Sequence, residues 1–289
     1  MERVAFEANR TEKSPNPEAV HDLRVAIRRL QQGLITFKAL FPRKTAKRIR
    51  KQLKEVLSAA GNLRNCDIAL GILSEKKGLS TAGLIRHVEE LRRRAQKSLL
   101  QILASLSLRT RVSKWCRHLH MDSPHAGFGA EDLQTMGRAI LPQLAQRFFR
   151  AGDAAAFHGS AGKLHAFRIL AKKFRYTMEL FSSVYGSAGE QCLGEIKAVQ
   201  GILGRVNDYR TVLSMASETG SGNKLKEALR RAERRKIRQF RETWAKEFSS
   251  SVAAGWLRTL RGRPVPRRAV QKALTAARDA GANLAAATA

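Results

Sequence analysis

The chain has 289 residues, 43% of them hydrophobic, with 54 Lys and Arg against 24 Asp and Glu and a net charge of +30. That composition is globular and disfavours a disordered basic tail protein, and no charge-free run approaches the roughly 18 apolar residues that a bilayer crossing needs. No apolar leader follows Met1-Glu2-Arg3-Val4, and Cys66, Cys116 and Cys192 are too few and too dispersed for a disulfide scaffold, which favours a reducing, cytoplasmic setting.

Long stretches of Leu, Ala, Arg, Lys and Glu with prolines between them predict an all-α fold. The clearest helix opens at Ser14-Pro15-Asn16-Pro17, with Asn16 as N-cap and Pro17 in the first turn. Val20, Leu23, Ile27, Leu30, Leu34, Phe37 and Phe41 then alternate spacings of three and four, a seam for helix packing that Pro42 is expected to end. A second helix is predicted from Arg43 to Ala60, stopping at Gly61-Asn62, with Ile49, Leu53 and Val56 inward. Further helices are predicted at about 63–76, 80–107 and 108–119. Met121 to Gly129 reads as a linker, dividing the chain into a first bundle, 1–122, and a second, 130–260. Arg258 to Arg268, with Pro264 and Pro266, reads as a basic linker, and 261–289 as a basic, Ala-rich tail.

The second half repeats the first. Leu164, Phe167, Ala171, Phe174, Met178 and Phe181 reproduce the seam, each 144 residues after its counterpart. His21, Arg24, Arg28 and Arg29 map in the same way onto His165, Arg168, Lys172 and Lys173. Leu53 to Asn65 parallels Ile196 to Asp208 at an offset of 143, which matches Gly61 to Gly204. A unit this long is no solenoid repeat; it predicts two tandem helical bundles from an internal duplication.

His21, Arg24 and Arg28 stand at i, i+3 and i+7, within about 60° of arc on one helix face. Each follows a seam residue by one position, so the stripe flanks the core. His165, Arg168, Lys172 and Arg175 form the second stripe. Cations fixed on a rigid helix suit phosphate, with Arg able to bind bidentately and Lys acting as a point charge. Solvation of an exposed helix face explains one such stripe equally well. Its recurrence beside the same seam favours a binding role. With only 6% aromatic residues, few of them beside basic clusters, base stacking has little to work with.

The segment His21-Asp22-Leu23-Arg24-Val25-Ala26-Ile27-Arg28-Arg29-Leu30 resembles the opening signature of the CHAD domain, the conserved histidine α-helical domain. Leu164-His165 with Arg168, Lys172-Lys173-Phe174-Arg175-Tyr176 and Glu179-Leu180-Phe181 resembles that family's second signature, and Leu203-Gly204-Arg205-Val206-Asn207-Asp208 its later Leu-Gly-x-x-Asn-Asp element. The resemblance implies two four-helix bundles related by pseudo-twofold symmetry, a basic groove or pore between them, and non-enzymatic binding of inorganic polyphosphate. The chain departs from the family pattern at Arg64-Asn65, where Arg-Asp is usual, while Asp67 fits the next acidic position.

Lys47, Lys51 and Lys54 lie on one side of the second helix, and Lys197 falls opposite Lys54 under the 143 offset; they are further candidates for the groove. Arg92-Arg93-Arg94 and Arg230-Arg231 with Arg234-Arg235-Lys236 read as solvated faces. No cofactor or catalytic motif of the types GxxxxGK[ST], HExxH or GxSxG occurs. Cys116, His118, His120 and His125 fall within ten residues, but His118 and His120, at i and i+2, diverge on a helix and make a poor metal site. Glu179 is placed to orient Lys172 or Arg175. The expected function is recruitment to, or organisation of, polyphosphate granules in the cytoplasm, without membrane insertion. The rivals are a DNA- or RNA-backbone binder and a polyphosphate hydrolase.

Overall fold

The computed structural model describes residues 1–76, 81–121 and 130–262. Among them the chain is all-α: α1 (Glu2–Lys13), α2 (Pro17–Thr36), α3 (Arg43–Ser74), α4 (Ala82–Leu106), α5 (Leu108–Met121), α6 (Ala130–Phe157), α7 (Ala161–Leu180), α8 (Ser182–Glu218), α9 (Asn223–Glu247) and α10 (Ser250–Arg261), with a 3-10 turn at Lys38–Leu40. The segment 122–129, read as a linker, and the tail beyond Gly262 lie outside the described residues.

Capping explains where α2 begins. The Asn16 side chain accepts from the backbone N–H groups of Glu18 and Ala19 at 3.1 and 2.9 Å, and Pro17 needs no partner for a missing donor. α7 matches it in length, 20 residues each, with Ser160 as N-cap and Phe181 as C-cap where α2 has Asn16 and Phe37. The expectation that α2 runs to Pro42 fails by a turn: it ends at Thr36, and Phe37 and Phe41 lie beyond it, half-buried. Phe41 precedes Pro42 and is extended at φ −128°, ψ 142°, as the proline ring demands, so the chain leaves the helix before reaching it.

The expected break at Gly61-Asn62 is absent, and the two helices predicted over 43–76 are the single α3. The opening segment, for which no element is predicted from the sequence, is a helix as well. α1 packs Val4 and Ala8 into the core, and the Thr11 hydroxyl donates to the carbonyls of Glu7 and Ala19, tying the end of α1 to the start of α2. Arg258 and Arg261 fall in the last turn of α10, so the supposed basic linker begins as helix.

The compact units differ from consecutive halves cut at 122 and 130. One comprises Met1–Pro124 with Gly204–Arg238, the other His125–Leu203 with Gln239–Ala289. Burial accounts for the exchange of 204–238. Tyr209, Val212 and Ala216 of α8 and Leu225, Leu229 and Ala232 of α9 share a core with Cys66, Ala69 and Ile72 of α3 and Leu84 and Val88 of α4. A second core in this unit joins α1 to α5 through Leu23, Ile27, Ile49, Leu53, Leu103 and Trp115.

The other unit is built on aromatic rings. Phe148 of α6 sits 5.1–5.8 Å from the rings of Phe167, Phe174, Trp244 and Trp256. Both tryptophans place their polar edge on a carboxylate: Trp244 Nε1 donates to Asp153 at 2.9 Å, and Trp256 Nε1 to Glu195 at 3.0 Å.

Candidate functional site

In the first unit the stripe stands at the junction of α2 and α3. Arg24 lies half-buried, and its Nη1 donates to the Leu57 carbonyl of α3 at 3.1 Å. A methyl group at Gly61 would sit 2.7 Å from that nitrogen. Gly61 is therefore the clearance that lets the guanidinium lie on the surface of α3, and it is a glycine inside a helix, not a terminator. Gln31 Nε2 donates to the Arg50 carbonyl at 3.3 Å, so the two helices run antiparallel and Arg28 falls between these two bridges.

His21, one turn before Arg24, is exposed. Its pKa lies below the ordinary histidine value, first through partial desolvation of the ring, then through Arg64; Arg24 and Arg28 add to the effect and Asp22 opposes it. Asp22 is occupied elsewhere, accepting from Arg10 of α1 at 2.7 Å. His21 thus stays neutral at pH 7, a hydrogen-bond donor inside a field of three arginines.

Arg64 is the residue the sequence reading missed. It follows Gly61 by three positions, on the same face of α3, and that phase exists only if the helix continues through Gly61-Asn62. Arg29 is exposed about 100° round α2 from Arg28, off the stripe. Lys47, Lys51 and Lys54 are exposed on α3, and Lys54 shares the face of Leu57 and Gly61. No carboxylate pairs with Arg28, Lys47, Lys51 or Lys54 among the described residues.

The second unit places His165 and Lys173 exposed on α7, with Arg168, Lys172 and Arg175 half-buried. A bridge between helices here runs from α8, where Gln200 Nε2 donates to the Ala171 carbonyl of α7 at 2.6 Å. Lys197 is exposed one turn before Gln200. The close approach at Gly61 does not recur at its matched glycine, since nothing stands within 4 Å of a methyl group built on Gly204. Arg175 pairs with Glu179 at 3.6 Å, and its guanidinium lies 4.5 Å from the centre of the Tyr176 ring.

Beyond the stripes, Asp67 and Arg92 pair at 2.8 Å between α3 and α4, and Arg210 and Glu233 at 2.6 Å between α8 and α9. Arg92 is thus a structural residue as well as part of a basic run. Among the described residues no group of three His, Cys, Asp or Glu side chains is placed to hold a metal ion, and His125 lies outside them. No described helix is long and apolar enough to cross a membrane.

Comparison with known proteins agrees with the signatures. The family model for the CHAD domain matches residues 3–217. A search of curated proteins returned no match. Among solved structures, the chain is similar to the CHAD domain of the plant Ricinus communis, with a TM-score of 0.61 and 21% identity over 89% of this chain and 86% of that one. It is also similar to PptA from Streptomyces chartreusis, with a TM-score of 0.62 and 20% identity over 84% of this chain and 95% of that one. With the motifs in order and the family model spanning most of its length, the chain belongs to the CHAD-domain family.

Proposed function

We propose that this protein binds inorganic polyphosphate, without catalysing its turnover, through the cationic stripes of α2 and α7. The observation that carries the reading is the Arg24 guanidinium fixed on the Leu57 carbonyl beside Gly61, with Arg28 next to it and His21 and Arg64 one turn away. Charges already fixed on helices lose little conformational entropy when a phosphate chain arrives. Pairing with Arg10 engages Asp22, the carboxylate next to His21 in the chain. The tandem signatures support a second, homologous binding face on α7 and an origin by duplication. Binding of this kind would recruit the protein to polyphosphate granules in the cytoplasm, or organise them.

The net charge of +30 and the exposed basic residues of α9, among them Arg231, Arg234 and Arg235, give a nucleic-acid backbone as the second reading. Competition separates the two. At about 150 mM salt the Debye length is near 8 Å and diffuse attraction is largely screened. Labelled long-chain polyphosphate should be displaced by unlabelled polyphosphate and poorly by duplex DNA or RNA at equal phosphate; equal displacement by all three would favour the nucleic-acid reading. Arg24→Glu with Arg168→Glu should weaken polyphosphate binding more than tenfold with helicity unchanged by circular dichroism. Arg28→Glu, whose side chain no carboxylate holds, gives the same test with less risk to folding. Unchanged affinity in these folded variants would remove the stripes from the site. Phosphate release measured with and without Mg²⁺ tests the hydrolase alternative.

A further inference from the structure

A second basic cluster lies away from the stripes, between α3 and α5. A cleft of about 350 Å³ is lined by four cationic or protonatable side chains, Arg48, Arg111, Lys114 and His118, over an apolar floor of Leu106 and Trp115. None of the lining residues is acidic. Arg111, Lys114 and His118 stand at i, i+3 and i+7 of α5, one face of that helix, and Arg48 meets them from α3. On α3, Arg48 and Leu57 are nine residues apart, as are Gln52 and Gly61, so each pair lies about 180° apart round the helix. The cleft therefore opens on the flank of α3 opposite the one that receives Arg24.

Three further features give the cleft its chemistry. Arg111 is braced, its Nε donating to the Leu106 carbonyl at 2.8 Å, which leaves its terminal nitrogens for a ligand. Ser107 holds the left-handed conformation at φ 43°, ψ 57°, ending α4 and letting α5 begin at once, so the first turn of α5 borders the cleft. The Oε1 of Gln52, also in the lining, is buried without a hydrogen-bond partner. Ionised phosphate oxygens are acceptors and cannot satisfy it; a hydroxyl or amine on an organic group can. The volume lies at the small end of the range for organic ligands and is larger than a single phosphate requires.

We propose that this cleft binds a small organic phosphate of nucleotide size, separately from the polyphosphate stripes. The phosphates lie on Arg48, Arg111, Lys114 and His118, the organic group lies against Leu106 and Trp115, and the Gln52 side chain turns its Oε1 from the buried position towards the cleft to accept from one of the ligand's hydroxyl or amine groups. Calorimetric titration of the full chain with ADP, without Mg²⁺ and at 150 mM salt, should show one saturable site. Arg48→Ala with Lys114→Ala, both at exposed positions where alanine favours helix, should weaken ADP at least tenfold and change polyphosphate affinity less than twofold. Arg24→Glu with Arg168→Glu should leave ADP binding intact, so failure of the polyphosphate reading and failure of this one are read separately. Gln52→Leu should weaken ADP but not pyrophosphate. No saturable ADP binding overturns the proposal, as does ADP binding lost in the stripe variant and kept in the cleft variant. Pyrophosphate binding as tightly as ADP would overturn the organic half of the assignment.

Discussion

At the level of single residues, Arg24 and Gly61 form one packing unit. Alanine at position 61 improves helix propensity by about 1 kcal/mol, yet its methyl group would displace the Arg24 Nη1 that now sits 2.7 Å from that point. The contact is with the far end of a flexible side chain, so the arginine yields and the helix does not. Gly61→Ala should therefore leave the urea midpoint unchanged or raised while weakening polyphosphate binding severalfold; weaker folding with unchanged binding would contradict this account. If the stripe binds a polyanion, His21 should make that binding pH-dependent. Its folded-state pKa lies below the ordinary value of about 6.5, so between the two values the unfolded chain binds more protons than the native one. The stability that neutral His21 supplies is complete above about pH 6.5 and is lost as pH falls through the lower folded value. A bound polyanion reverses the field of Arg24, Arg28 and Arg64, so polyphosphate should bind with proton uptake. Affinity should rise from pH 7.5 to 6 in the wild type and rise less in His21→Gln, measured by calorimetry in buffers of different ionisation enthalpy.

At the level of elements, α2 and α7 show what a repeated pattern secures and what it leaves open. Both keep 20 residues, a polar N-cap and a buried seam, because capping and the three-and-four spacing act within one helix. The matched glycines differ: a methyl group on Gly61 would meet Arg24 of α2, whereas one on Gly204 would meet nothing within 4 Å. The α3–α4 pair has its own lock in Asp67 and Arg92, with the Asp67 side chain 4% exposed and that of Arg92 27%. Removing Arg92 leaves a buried carboxylate without its ion-pair partner, so Arg92→Ala should destabilise by about 2–4 kcal/mol by chemical denaturation. The neighbouring Arg93→Ala, at a side chain 73% exposed and paired to Glu90, should change stability by less than about 1 kcal/mol. A similar loss from both would refute the distinction between a structural and a solvated arginine in that run.

For the whole molecule, the net charge of +30 makes self-repulsion a property of the free state that a polyanion relieves. Added polyphosphate should raise the thermal midpoint. The stabilisation reaches about 2.7 kcal/mol when free ligand is a hundredfold above Kd, and it should shrink as salt rises. A midpoint that does not move on saturation, or that moves equally in the Arg24→Glu, Arg168→Glu variant, would show that the stripes are not where the stabilising contacts form.

The amino-acid sequence by itself determined the all-α class, the start of α2, the seam, the cationic stripes at helical spacing and the family signatures, because each is written in residues a few positions apart. It misplaced the end of α2 and broke α3 in two, since a glycine reads as a terminator until its neighbour in space is known. Only the tertiary structure decided that Gly61 makes room for Arg24, that Arg64 acts on His21, that 204–238 packs with α3 and α4, and that Arg48 meets Lys114 across a cleft. Those pairings depend on which turns of distant helices face one another. Such facing is set by the burial of whole helix faces, and a local periodicity carries no record of its partner.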